Sequence, residues 1–209
     1  RRSSDLEPFT VAEGSKFGWW RARMVGGRTN HWGRISLRFG PNDFRRKSLD
    51  GLGDDWPISY DDLAPYYDRV DDLIGIFGSA EGLPNEPDGH FLPAPRPRCY
   101  ELLVKQACDN LKVACIPARL SILTQPLGNR PACHYCGQCN RGCMTNSNFS
   151  SPNVLLLPAQ QTRRLRIITN AMAREVTVNA QGLATGVSYI NTTTGADEHI
   201  RARVVVLAA

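Results

Sequence analysis

Four cysteines fall within eleven positions, Cys133, Cys136, Cys139 and Cys143, in the stretch "ACHYCGQCNRGCM". No other feature restricts the chain so sharply. Disulfides between consecutive members of the run would close loops too short for good bond geometry. Four thiolates this close repel one another unless a cation neutralises them. Gly137 and Gly142 let the backbone turn tightly around such a centre. Asn140 and Arg141 add hydrogen-bond donors for sulfur. Four-cysteine zinc sites usually pair two close couples across a longer gap. A single short run with x2, x2 and x3 spacing is closer to an iron–sulfur pattern, without its trailing proline. The spacing therefore favours an iron–sulfur cluster over structural zinc and over disulfides or free thiols. It does not by itself prove one four-ligand site. A small ferredoxin-like carrier is excluded by length, so the run belongs to something larger.

The chain has 209 residues, enough for one large domain or two small ones, and a core that needs no disulfides. Net charge is +5, and the densest basic groups, at 19–28 and 43–47, are short and interrupted. A nucleic-acid face needs a longer basic stripe, so no nucleic-acid partner is expected. No run is apolar enough to span a bilayer as a helix, and no secretory leader is visible. Both ends read as cut, which makes the chain an expected internal segment of a longer one.

Residues 56–77 predict a helix from about Ser59, where Ser59 and Asp62 form a capping box. Leu63, Tyr66, Tyr67, Val70, Leu73, Ile74 and Phe77 recur at helical spacing. Pro65 suggests a kinked or later start. Residues 78–98 read as an extended connector. Residues 99–112 predict a second amphipathic helix carrying Cys108 and bracketed by Cys99 and Cys115. These three cysteines read as small buried hydrophobes. Ser151 and Pro152 read as cap and first residue of a short helix. Four strand-like runs follow at 165–169, 174–179, 185–191 and 199–209, with Asn, Gly and Asp in the turns. The middle runs alternate, as an antiparallel meander with one wet face would. The run "VVVLAA" is continuously apolar, as a buried parallel strand would be. The fold class is therefore α/β with mixed α+β character.

A Gly-Gly pair at Gly26 and Gly27 opens the stretch "RMVGGRTNHWG". Glycines there permit close backbone approach to a partner. This stretch resembles the flavin-contacting loop of the glucose–methanol–choline (GMC) oxidoreductases, here in the form Gly26-Gly27-Arg28-Thr29-Asn30-His31-Trp32-Gly33. The His-Trp version is similar to the branch with pyranose oxidase and the gluconate, fructose and glucose dehydrogenases. "WPISYDDLAPYYDRVDDLIGIFG" and the stretch from "LLLPAQQT" to "VVVLAA" also look like that family. The resemblance covers roughly residues 17–77 and 148–209.

It implies a partial FAD-binding fold with an antiparallel meander and a helical, loop-rich insertion on the substrate side. Residues 1–36 and 151–209 would belong to the flavin domain, and 37–150 to the insertion. It implies FAD as cofactor, with Gly26, Gly27, Thr29, Asn30, His31, Trp32, Gly33 and Ala173 as contacts. In some relatives the residue at His31 bonds covalently to the flavin. It also implies a three-iron cluster on Cys133, Cys139 and Cys143, with Cys136 as an extra thiol that would suit a four-iron one. The implied activity is oxidation of sugars or other alcohols, with hydride passing to the flavin. Electrons would leave through the cluster to an external acceptor, such as a haem subunit or a quinone, with a small subunit as partner. A periplasmic or membrane-associated location goes with that branch. The family's dinucleotide fingerprint and its catalytic histidine with a His or Asn partner are absent from this stretch. His31, His90, His134 and His199 lie outside the catalytic motif, so no catalytic residue is assigned, and the segment alone is expected to be inactive. The rival reading is a zinc-stabilised scaffold with no redox role.

Overall fold

The structure, a computed structural model, describes residues 10–18 and 23–208. Parts of the expected 1–36 segment and of the basic group at 19–28, together with Ala209, lie outside the described residues. The fold mixes helix and strand, compatible with an α/β class. It separates into two compact units, one up to Ala159 and one from Gln160 onward.

In the first unit a short helix α1 covers Arg46–Asp50 and a longer one, α2, covers Tyr60–Ile74. The capping box predicted for α2 is present: Ser59 N donates to Asp62 Oδ2 at 2.8 Å, and Asp62 N donates back to Ser59 Oγ at 3.4 Å. Two orphan amides are thereby satisfied. The helix does not start late; it takes Pro65 inside its second turn. Its buried face also differs from the apolar stripe. Asp71 and Ile74 are buried, while Tyr66, Val70 and Leu73 are exposed. The helix turns Asp71 inward to meet Arg38 at 2.5 Å, and Arg38 also holds Asp68 at 2.7 Å.

Gly75 ends α2 with φ +75°, and a Cβ there would sit 2.3 Å from Leu123. The chain then enters β1, Ile76–Gly78, which pairs in parallel with β2, Phe91–Pro93. The stretch read as a connector thus supplies a strand. Three residues are too few to show a strand period, and the partner lies across a loop. Ile74, Ile76, Phe149 and Val154 form the core, with Trp32, Phe91 and Leu155 against it.

Helix α3 runs Cys99–Asn110, close to its predicted span, but none of its residues is buried. Cys99 is exposed, and Cys108 and Cys115 are half-buried, so the buried-hydrophobe reading of the three fails. Ser151 precedes a π-helical turn, Pro152–Leu156, that leads into α4, Leu157–Gln161. Ser151 makes no side-chain cap; its hydroxyl is taken by Thr29 instead.

The second unit holds the predicted meander: β3 (Ala171–Val178), β4 (Ala184–Asn191) and β5 (Asp197–Arg201), antiparallel in that order. Residues 165–169 form no strand. The last predicted strand stops at Arg201, and Val204, Val206 and Leu207 are exposed. A continuous apolar run needs a sheet on both sides, and no described strand pairs with it. Of the two middle runs expected to have one wet face, β3 is exposed along most of its length, while β4 carries buried Gly186, Ser188 and Tyr189.

Candidate functional site

The Gly-Gly loop is a 3-10 turn, Gly27–Asn30, entered through left-handed Gly26 at φ +93°. A side chain at Gly26 is excluded: its Cβ would lie 2.4 Å from the Pro152 ring. Gly27 is also left-handed, at φ +48°, but faces open space with no atom within 4 Å of a Cβ. Its N–H donates to Met24 O at 2.9 Å.

Thr29 and Asn30 brace this turn from inside. Thr29 Oγ1 donates to Gly26 O and accepts from Ser151 N at 3.1 Å. Asn30 Nδ2 donates to Val25 O at 3.0 Å and Gly27 O at 3.1 Å. Trp32 packs edge-on to Phe149, with centroids 6.2 Å apart, so it anchors the loop in the core. Its buried indole N–H has no partner. His31 and Gly33 are exposed. The imidazole of His31 makes no hydrogen bond among the described residues. Two features therefore remain available to a ligand: the open space beside Gly27, whose own N–H is already donated, and the exposed imidazole of His31. Both fit an FAD-contacting loop, one leaving room for a pyrophosphate and the other offering a nucleophilic nitrogen.

Ala173, on β3 in the second unit, pairs with Tyr189 of β4 beside a bulge that breaks the register before Glu175. A bulge releases backbone groups from the ladder.

The cysteine run is a chain of tight turns. Tyr135, Gly137 and Gly142 all have positive φ, and Cys139–Arg141 form a 3-10 turn. Cys133 is tied to the neighbouring segment through its N–H to Leu123 O at 2.8 Å. Tyr135 N donates to Cys133 Sγ at 3.2 Å. Burial holds the Cys133 thiol above its usual range, and charge on Cys139, Cys143 and Cys136 pushes the same way. Cys143 behaves oppositely. Burial raises it, but donors from Thr145 and the backbone N–H groups of Asn148, Thr145 and Ser147 outweigh burial and lower its pKa. A nest of amides thus favours a thiolate there.

Sequence reasoning missed two further groups. Arg34 is fully buried and Arg130 nearly so. Arg34 donates to the carbonyls of Trp32 and Asn30, and Arg130 to those of Asn146 at 2.9 Å and Ile74 at 2.8 Å. Neither pairs with a carboxylate among the described residues. Burial lowers the pKa of both, while the sulfurs of Cys139 and Cys143 raise Arg34 and that of Cys143 raises Arg130. Arg34 links the Gly-Gly loop to the cysteine run, standing two residues past Trp32 and within the field of Cys139 and Cys143. Nothing in the sequence marks either arginine, because their burial depends on distant segments.

The donor set fits an iron–sulfur cluster in its chemistry: soft thiols, amide donors and buried cations that would offset a negatively charged centre. No three His, Cys, Asp or Glu side chains among the described residues converge as a ready-made metal shell.

Comparison with known proteins places the chain in a flavoprotein family. The family model described as GMC oxidoreductase matches residues 9–209. A 2-methyl-1,2-propanediol dehydrogenase of Mycolicibacterium austroafricanum is 35% identical over 190 residues, 88% of this chain and 34% of that protein. The fructose dehydrogenase large subunit of Gluconobacter japonicus is 30% identical over 175 residues, 79% of this chain and 31% of its own. A 6'''-hydroxyparomomycin C oxidase of Streptomyces lividus is 29% identical over 197 residues, 91% of this chain and 36% of its own. The chain spans about a third of the length of these relatives.

Proposed function

The chain belongs to the GMC oxidoreductase family, which implies FAD binding, and from that membership we propose that the whole protein is an FAD-dependent dehydrogenase. Its substrates are CH–OH groups of sugars or other alcohols. Bound FAD supplies the hydride acceptor, and an iron–sulfur cluster supplies one-electron transfer to an external acceptor such as a haem subunit or quinone.

The chain's own residues have distinct tasks in this reading. Gly26 and Gly27 bring backbone close to the cofactor, with Thr29 and Asn30 holding the turn and Trp32 fixing it to the core. His31 is the group placed for covalent attachment. Gly33 follows the turn, and Ala173 is assigned to the adenine from the resemblance alone. Cys133, Cys136, Cys139 and Cys143 would ligate the cluster, as three ligands plus one neighbour or as four. Arg34 and Arg130 would compensate its charge. Residues 1–36 and 151–209 form parts of the flavin domain, with 37–150 on the substrate side. The bond from Thr29 to Ser151 supports that division, since it skips the whole intervening segment. The small subunit named for the branch remains the partner to look for, as does a periplasmic or membrane-associated location.

One observation carries the dehydrogenase reading over the oxidase one: the four-thiol run under two buried cations. A two-electron transfer to oxygen needs no such relay. An absorption spectrum and iron assay of the full-length protein test it. Flavin bands with a broad brown shoulder and bound iron are expected. A flavoprotein without iron that makes peroxide at full rate overturns the relay, and a colourless zinc protein overturns the whole reading. Flavin that stays with acid-precipitated protein, and is released in His31→Ala, would establish the covalent bond.

A further inference from the structure

Three cysteines lie outside the 133–143 run, and the chain reversal after α3 brings the segment of one, Cys115, back to the turn that carries another, Cys108. Cys108 sits in the last turn of α3. Past Asn110 the chain reverses. Leu111 N donates to Ala107 O at 3.2 Å and Cys108 O at 3.0 Å, Lys112 takes φ +56°, and Val113 N donates to Cys108 O at 3.0 Å. The reversal lays the following residues back along α3. Cys115, Glu101, Val104 and Lys105 accordingly line one cavity of about 1230 Å3. Cys108 lies four positions after Val104 and three after Lys105, so it shares their face of the helix. Burial and a hydrogen-bonding contact with Cys115 hold its thiol above the usual range. Both cysteines are half-exposed, so small molecules reach them.

We propose that Cys108 and Cys115 are a redox-active dithiol, separate from the 133–143 run, that closes to an intrachain disulfide by exchange with a low-molecular-weight disulfide. One cysteine thiolate attacks the small disulfide, forming a mixed disulfide and expelling one small thiolate. The second cysteine thiolate attacks the protein sulfur of that bond and expels the other. Two protein thiols and one small disulfide become one protein disulfide and two small thiols. The protein is oxidised by two electrons, the small disulfide is reduced by two, and the two thiol protons leave with the small thiols. The bridge fastens the segment after α3 to the helix. It thereby fixes one wall of a cavity that Cys133 and Cys139 also line.

The test uses the full-length protein equilibrated in glutathione buffers from fully reduced to fully oxidised, then alkylated and digested with trypsin. Cleavage after Lys105, Lys112 and Arg119 places the two cysteines on separate peptides, "QACDNLK" and "VACIPAR". The expected result is one linked species of those peptides, lacking two hydrogens, with alkylation lost at both sites together. Dithiothreitol should restore both. In Cys108→Ser the bridge should vanish and Cys115 should carry a single glutathione, with the mirror result in Cys115→Ser. Bound iron should be unchanged in both variants, which separates the pair from any cluster ligand. Independent alkylation of both thiols in oxidised buffer overturns the proposal, as does a bridge from Cys115 to Cys133 or Cys139. The peptide map of the unaltered protein decides the matter even if a variant fails to fold.

Discussion

Four arginines are buried among the described residues, and they divide two and two. Arg38 and Arg119 meet carboxylates: Arg38 holds Asp71 and Asp68, and Arg119 holds Asp88 at 3.0 Å with Glu86 at 3.7 Å. Arg34 and Arg130 donate only to carbonyls among the described residues. All four leave one guanidinium N–H without a partner, so imperfect hydrogen bonding does not separate them. The carboxylates do. The paired arginines tie segments of the frame together, Arg38 to α2 and Arg119 to the loop before β2. The carbonyl-bound ones lie within the field of the cysteine run, Arg34 of Cys139 and Cys143 and Arg130 of Cys143, where the proposed cluster would bring negative charge. Leaving a buried charge uncompensated is expensive in a plain scaffold. It makes sense where a charged group is to be received.

The largest test of this division is Arg38→Leu. Burial already holds Asp71 above the usual carboxylate range, with Arg38 pulling the other way. Removing the guanidinium strands a buried acid, and the expected loss is about 3–5 kcal/mol. Urea unfolding of the full-length protein measures it. Arg38→Leu combined with Asp71→Leu should recover most of the loss, and a single variant as stable as the original would break the comparison.

Arg119→Leu should cost less, about 1–3 kcal/mol. Asp88 and Glu86 are each about a third or more exposed and can rehydrate once abandoned. Part of the loss is packing, because the guanidinium lies 4.8 Å over the ring of Phe91. The same unfolding measurement ranks the two variants, and the reverse order would show that exposure of the acid is not what decides.

Arg34→Met is the sharpening case. It removes a desolvated cation and leaves two carbonyls with fewer donors, so the two effects oppose. The expected change in stability is within about 1.5 kcal/mol. The expected effect falls elsewhere: if the proposed cluster is bound, its reduction potential should drop, because the lost positive charge favoured the added electron. Redox titration followed by electron paramagnetic resonance reads this. A loss of stability as large as that of Arg38→Leu, with an unmoved potential, would place Arg34 in the frame.

The same division explains what could be read from the sequence. The capping box of α2, the span of α3 and the antiparallel meander rest on residues a few positions apart, so local pattern sufficed. The Gly-Gly loop was marked by its glycines, and its excluded Cβ at Gly26 shows why. The bond from Thr29 to Ser151 crosses 122 positions, and it diverts the hydroxyl that local rules assigned to a helix cap. Asp71 interrupts the expected apolar face because Arg38 arrives from another segment. Arg34 and Arg130 look like ordinary surface arginines until the chain is folded around them. The cysteine run was legible as chemistry, while the positions of its sulfurs in space were not.

The smallest effect belongs to an ion pair that is not buried at all. His90 Nδ1 lies 3.1 Å from both carboxylate oxygens of Asp72, with both side chains more than half exposed. The hydrogen bond that His90 donates to Asp72, and then the charge of Asp72, raise the His90 pKa above its ordinary 6.5. Asp68 adds to the rise, while slight burial and Arg38 oppose it. A histidine whose folded value is raised contributes its stability fully below the unfolded value. That contribution is lost as pH climbs from about 6.5 through the raised folded value. The unfolding midpoint of the full-length protein should therefore decline slightly across that window relative to His90→Gln. Asp72→Asn should flatten the difference. Solvent screening keeps the effect small, which is the contrast with Arg38. A decline as steep as the loss in Arg38→Leu would mean that burial of the acid is not what separates the strong pairs from the weak.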